Sequence, residues 1–260
     1  MRVTTLASSS SGNSILLSHG DAHILLDAGI SFKRIRASLA GLGLTPLDIG
    51  AVLVTHSHGD HISGLPALAA HTSARIYATR ETLDALESDM PARAALEQIS
   101  PGAEFAVFDF TARAFKTSHD APGSVGFTVT RGGRKFALAT DLGVVTPEVL
   151  TAARGADVAI IEANHDADML RNGYYPPTTK RRIASDMGHL SNDACGELAL
   201  RLAESGAGTL ILAHLSSGNN TPELALCTVS AALSRGGATV GRDVTLAAAP
   251  RFGAGHTYEV

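Results

Sequence analysis

Two stretches of the chain repeat one order of elements, and that repetition restricts the folds open to it. Ile24-Leu25-Leu26 runs into Asp27-Ala28-Gly29, then a helical pattern over about 31–42, then the apolar run Ala51-Val52-Leu53-Val54 ending in Thr55-His56. Ala137-Leu138-Ala139 runs into Thr140-Asp141-Leu142-Gly143, then a helix over 147–153, then Val158-Ala159-Ile160-Ile161 ending in Glu162. Each stretch follows a hairpin, and short apolar runs bounded by polar turns read as buried strands. The shared unit is therefore hairpin, strand ending in Asp-x-Gly, helix, and strand ending in ligand-type side chains. Used twice, it implies an α/β fold: a four-layer αββα sandwich of two packed mixed sheets with helices outside. We expect a single domain over 1–260, built of similar halves at about 1–120 and 121–260, the first with an antiparallel meander over about 2–27 and helices over about 62–70 and 92–99.

Thr55-His56-Ser57-His58-Gly59-Asp60-His61 leaves the carboxyl end of the first apolar strand, where ligands gather in α/β sheets. In extended chain, residues two apart point the same way, so His56 and His58 can address one point. Gly59 then lets the backbone turn and directs Asp60 and His61 to a second point. Imidazole and carboxylate suit zinc, iron or manganese, and four such groups in six residues is a dense cluster. Its place behind a buried strand is wrong for a tag remnant. His119, Asp141 and His214 also each close an apolar strand. A satisfied loop residue is the usual reading of such positions, but these supply the ligands that the first motif lacks.

Composition narrows the partners. Lys+Arg 21 against Asp+Glu 25 gives a formal net charge of -4, so a nucleic acid would be held by a local basic patch and by metals rather than by the whole surface. Lys180-Arg181-Arg182 is such a run, although charge runs are also common on solvated helix faces. Ser8 to Ser14, a loop of hydroxyls with Gly12 and Asn13, can offer donors to an anion, and a flexible turn is an equally good reading of it. No apolar run approaches the roughly 20 residues that span a bilayer, and the first residues lack the apolar core of a secretory signal. Cys195 and Cys227 fall in expected helices, which favours reduced thiols over a disulfide. These features point to the cytoplasm and to no membrane, and they leave the oligomeric state open.

The pattern His-x-His-x-Asp-His resembles that of the metallo-β-lactamase superfamily. The redox diiron branch usually places Glu where this chain has His58, so the resemblance points to a hydrolase with the metallo-β-lactamase fold. It implies that His56, His58 and His119 hold one divalent ion, that Asp60, His61 and His214 hold a second, and that Asp141 bridges the two, the metal being Zn, Mn or Fe. The segments SSSSGNS, SHD, ATDLG, EANHD, GHLSN and HLSSGNN together resemble the YycJ/WalJ branch, whose characterised members are 5'-to-3' exonucleases on double-stranded DNA. Gly188-His189, with the helix, strand and His214 that follow, is also similar to ribonuclease Z, although Leu190 interrupts that family's His-Ser-Thr order.

The expected activity is therefore metal-dependent phosphodiester hydrolysis, with a water held between the metals attacking phosphorus. His189 would protonate the departing sugar oxygen with Glu162 orienting it, so Asp60, Glu162 and His189 form the expected catalytic set. Ser11, Asn13, Lys180, Arg181, Arg182 and Asn219 are the expected substrate contacts, with DNA preferred to RNA. His165 and Asp166 could form a pair behind the ligands. The competing readings are a small-molecule metallohydrolase of lactonase or thioesterase type, an RNA-processing nuclease, and a non-catalytic module that kept the fold.

Overall fold

In the computed structural model, which describes residues 1–260, the duplicated unit is carried by two separate sets of contacts. One compact unit comprises 1–114, 121–125 and 250–260, and the other 115–120 and 126–249. The halves expected to meet near residue 120 therefore exchange short segments, and the C-terminus joins the first.

In the first unit, β1 (Arg2–Ala7), β2 (Ser14–His19) and β3 (Ala22–Leu26) form the expected antiparallel meander. α1 (Phe32–Ala40) leads to β4 (Ile49–Leu53), which lies parallel to β3. α2 (Gly59–Ile62) and α3 (Leu65–His71) lead to β5 (Arg75–Thr79), parallel to β4. α4 (Arg80–Leu86) precedes β6 (Ala95–Ile99), and β7 (Glu104–Val107) pairs with β8 (Phe110–Lys116) as a hairpin. Strands β1 to β6 are neighbours in that order, and the terminal strand Thr257–Glu259 pairs with β1 at the far edge. Leu25, Val52 and Ile76 pack with Ile35 and Leu39 of α1 and Leu65 and Leu68 of α3. Each such buried side chain contributes roughly 1.5–3 kcal/mol.

Two expectations are corrected here. A helix over 92–99 is replaced by β6, which pairs in parallel with β5 from Arg75↔Ala95 to Thr79↔Ile99. Its residues Ala-Leu-Glu-Gln-Ile are good helix formers, so a place beside β5 overrides local preference. A continuous helix from 62 to 70 is divided into α2 and α3. Pro66 requires a helix start near it, Ser63 N closes the last turn of α2 on Gly59 O while its hydroxyl donates to Gly29 O, and Gly64 N donates to Ala28 O instead of continuing the helix.

The second unit repeats the plan. β9 (Val125–Arg131) and β10 (Arg134–Ala139) form the hairpin, α5 (Pro147–Ala153) crosses to β11 (Val158–Glu162), and β11 lies parallel to β10. α6 (Ala167–Asn172), α7 (Pro177–Ile183) and α8 (Asn192–Glu204) precede β12 (Thr209–Ala213), and α9 (Pro222–Arg235) precedes β13 (Thr245–Ala248). β12 and β13 extend the parallel run. Alternate strand residues Ala137, Ala159, Ile161, Leu210 and Leu212 form one core with Val149, Leu198, Leu202, Val229 and Leu233 of α5, α8 and α9. No helix is long and apolar enough to cross a membrane.

Candidate metal centre

In the first unit the site is built by a buried carboxylate on a strained turn. Asp27 follows β3 with φ 61°, a left-handed backbone that costs a non-glycine residue about 1–3 kcal/mol. That turn aims its side chain at the end of β4. Oδ1 accepts from Thr55 N at 2.8 Å, and Oδ2 accepts from Thr55 Oγ1 at 2.9 Å and from His61 Nδ1 at 2.7 Å. A carboxylate on Nδ1 fixes the ring and puts the lone pair on Nε2. Thr55 Oγ1, its proton directed to Asp27, accepts in turn from His56 Nδ1 at 3.0 Å, which sets the same tautomer on His56. The His56 ring stands 4.7 Å from that of His58 and 4.1 Å from that of His61, and Asp60 Oδ2 lies 3.6 Å from His61 Nε2. Gly29 is required here because a Cβ would overlap the Asp60 carbonyl.

The hydroxyl loop supports this segment. Asn13 is buried, with Nδ2 3.1 Å from both Ser9 O and His61 Nε2, and its backbone N–H donates to Asp60 O at 2.8 Å. Its Oδ1 accepts from Ser9 N and Ser8 Oγ. Asn13 thus ties the loop to Asp60 and His61, while Ser11 is exposed and donates its N–H to Ser9 Oγ.

In the second unit the carboxylate comes from the neighbouring strand. Glu162, the last residue of β11, is fully buried, and its Oε1 accepts from His189 Nδ1 and His214 Nδ1, each at 2.8 Å. Oε2 accepts from Leu142 N at 2.7 Å and Leu190 N at 3.3 Å. Burial pushes this carboxyl up, but the charge and N–H donation of His189 and His214 outweigh it and hold Glu162 well below the usual carboxylate range. Four donors occupy its two oxygens, so Glu162 orients histidines rather than ligating. Both rings are left with the lone pair on Nε2. His214 is sealed at 1% side-chain exposure, whereas His189 retains 15%.

Asp141 and His214 also have left-handed backbones, at φ 58° and 57°. Asp141 Oδ1 lies 3.6 Å from His214 Nδ1, 3.8 Å from His189 Nδ1 and 3.7 Å from His119 Nε2. His119 directs Nδ1 to Gly188 O at 3.1 Å. Burial lowers its pKa, against the opposing pull of Asp141, which favours the neutral imidazole that metals bind. The ligand atoms of Asp141, Glu162, His189 and His214 all lie within 4.8 Å of one another. Asp141 and His214, with His119 beside Asp141 and the two rings fixed by carbonyl and carboxylate partners, offer a donor set that suits a divalent metal ion, while Glu162 stands behind them.

The remaining residues singled out in the sequence have defined places. Lys180 donates its ammonium to Arg171 O at 2.8 Å, and Arg182 Nε reaches Asp120 Oδ2 at 2.5 Å, beside His119. Arg181 is exposed. Asn219 is buried, with Nδ2 3.3 Å from Ser216 Oγ. Asp166 caps α6, accepting from Asp168 N and Met169 N. Sequence reasoning passed over Asp27 as a functional position. Its signal was present in the repeated Asp-x-Gly, which sets Asp27 in register with Asp141.

A family model described as a β-lactamase superfamily domain matches residues 22–215. The chain is 36% identical over 246 residues to exodeoxyribonuclease WalJ of Streptococcus pneumoniae, covering 93% of this chain and 91% of that one. It is 35% identical over 244 residues to exodeoxyribonuclease YycJ of Bacillus anthracis, covering 93% and 92%. Among solved structures, the metallo-β-lactamase fold protein YhfI from Bacillus subtilis superposes with a TM-score of 0.77 at 18% identity, covering 100% of this chain and 99% of the other. The fold is thus the metallo-β-lactamase fold.

Proposed function

The chain belongs to the β-lactamase superfamily, and from that premise we propose that it is a metal-dependent 5'-to-3' exonuclease acting on double-stranded DNA. Two divalent ions, Zn, Mn or Fe, would supply Lewis-acid charge stabilisation and an activated water for in-line displacement at phosphorus. His56, His58 and His119 would hold one, Asp60, His61 and His214 the other, and Asp141 would bridge them, in the order of the superfamily's motifs.

The carrying observation is that Glu162 holds two histidines of unequal exposure. Sealed His214 suits a ligand. Partly open His189 suits a group that meets substrate, and with Nδ1–H donated to Glu162, Nε2 is the position at which the ring takes up and releases a proton. From there it protonates the departing sugar oxygen, a step a DNA leaving group requires. Ser11 and Arg181 are exposed and would meet phosphates, and Lys180 has further N–H donors beyond the one on Arg171 O. Arg182 brings positive charge beside His119, while Asn13 and Asn219 act from beneath by holding their loops.

The test is degradation of 5'- and 3'-labelled single- and double-stranded DNA and RNA with manganese or zinc, beside lactone and thioester panels. Nucleotides released from the 5' end of duplex DNA are the expected result. Turnover of lactones or thioesters with every nucleic acid left intact would move the same residues to acyl chemistry.

A further inference from the structure

Two of the chain's four tyrosines are adjacent, Tyr174 and Tyr175, in a protein with no tryptophan. They lie in the short link between α6 and α7. Tyr174 is 77% exposed, the most exposed large apolar side chain of the molecule, yet it is not loosely held. Its ring meets that of Tyr175 edge-on, with centroids 4.8 Å apart and an interplanar angle of 66°. Its hydroxyl closes over Gly218, coming within 3.0 Å of where a Cβ would stand. Tyr175 is half-buried, with its hydroxyl in hydrogen-bonding range of Ser216. Ser216 and Gly218 belong to the loop that begins with His214, so the tyrosine pair rests on the segment that carries a proposed metal ligand.

The link is also fixed at its ends. Lys180 Nζ reaches back from α7 to Arg171 O in the last turn of α6, and Pro176-Pro177 restricts the chain where α7 begins. An aromatic face that is exposed and immobilised, in a link held at its base by Lys180 and followed by exposed Arg181 on α7, with Arg171 paired to Asp168, has the makings of a base-stacking surface: a π-face for the base and cations for the neighbouring phosphates. Because the ring is already ordered, stacking on it costs little further side-chain entropy.

We propose that Tyr174, braced by Tyr175, is a stacking platform for a nucleobase of the substrate strand close to the bond being cut. This rests on the nuclease reading above. Stacking is tolerant of sequence, because every base has a π-face, so the platform would serve an enzyme that degrades DNA of any sequence.

The test uses the full-length, metal-loaded protein, its Tyr174→Ala and Tyr174→Phe variants, and duplexes carrying an abasic unit at the first, second or third nucleotide from the degraded end. For the wild type, removing the base at one of these positions should raise KM about 5- to 100-fold, the range of one base–aromatic stack. Tyr174→Ala should show the raised KM on intact DNA and no further rise on abasic DNA, with kcat less affected. Tyr174→Phe should behave as wild type. Equal discrimination against abasic DNA by Tyr174→Ala and wild type, or indifference of the wild type to all three positions, would overturn the platform and leave the nuclease standing. Degradation of neither DNA nor RNA would overturn both.

Discussion

Asp27 and Asp141 occupy the same step of the repeated unit, each after the second strand of a hairpin, each in a left-handed turn, each two residues before a glycine. Their carboxylates do different work. In the first unit the turn reaches forward, and Asp27 takes the end of the next strand through Thr55 and fixes His61. In the second unit the strand end reaches back, and Glu162 takes the turn through Leu142 N and fixes His189 and His214. The same need, a buried acceptor that orients imidazoles, is met from opposite sides of one strand–turn–strand junction. Asp141 is thereby released from the orienting task that its counterpart performs, which suits the bridging role proposed for it. A duplicated scaffold can divide roles in this way because its geometry constrains where a carboxylate is needed, not which strand supplies it.

The comparison breaks first at Glu162. Glu162→Gln puts one amide in place of an oxygen that accepted either two imidazole N–H groups or two backbone N–H groups, and either flip sets donors against donors. Each lost orienting partner weakens metal binding about 10- to 100-fold, so two histidines together should lose about 10²- to 10⁴-fold. Asp27→Asn removes the direct partner of one histidine, His61, while the Thr55 hydroxyl can rotate to accept from the new amide and still accept from His56 Nδ1, so about 10- to 100-fold is expected there. Metal titration of the two folded variants decides, and an equal loss would mean that the two carboxylates are equivalent after all.

A narrower contrast lies inside the pair that Glu162 holds. His214→Ala should weaken metal binding and depress turnover of every substrate. His189→Ala should keep its metals and much of its activity on bis(p-nitrophenyl) phosphate, whose leaving group needs no proton, while losing about 10²- to 10⁴-fold on DNA. Loss of a metal from His189→Ala, or equal damage to both substrates, would make His189 a ligand or a positioning group instead of the acid.

Much of this was legible before any coordinates. The strand Val158–Glu162 and the helix Pro147–Ala153 stand at the residues their patterns indicate, because apolar runs bounded by turn residues and a Thr-Pro helix start are local signals. The histidine motif was legible for the same reason. What escaped depended on distant partners: β6 is a strand only beside β5, and the terminal strand is a strand only beside β1, some 250 residues away in sequence. Asp27 escaped differently. Its residue type and spacing were visible, but a carboxylate that ligates and one that orients a ligand look alike until their hydrogen bonds are seen.

The smallest effect separates the two units by their helix starts. In the second unit Thr146, Asp166, Ser191 and Thr221 each accept a backbone N–H from the first turn of α5, α6, α8 and α9. In the first unit Ser31, Gly64 and Thr79, at the starts of α1, α3 and α4, make no such bond, and Thr79 spends its hydroxyl on Thr82 and Gly123 instead. Ser31 and Thr221 are both good N-cap types, so their residue identity alone assigns them equal value. Geometry does not, since Thr221 Oγ1 lies 3.2 Å from Leu224 N and the Ser31 side chain makes no cap hydrogen bond. Thr221→Ala should therefore cost about 1 kcal/mol of unfolding free energy, and Ser31→Ala only a few tenths. Urea unfolding of the two variants checks this, with unchanged m values showing that stability alone has moved. A Ser31→Ala cost as large as that of Thr221→Ala would mean that the Ser31 hydroxyl reaches the α1 turn in solution, and the difference in capping between the two units would disappear.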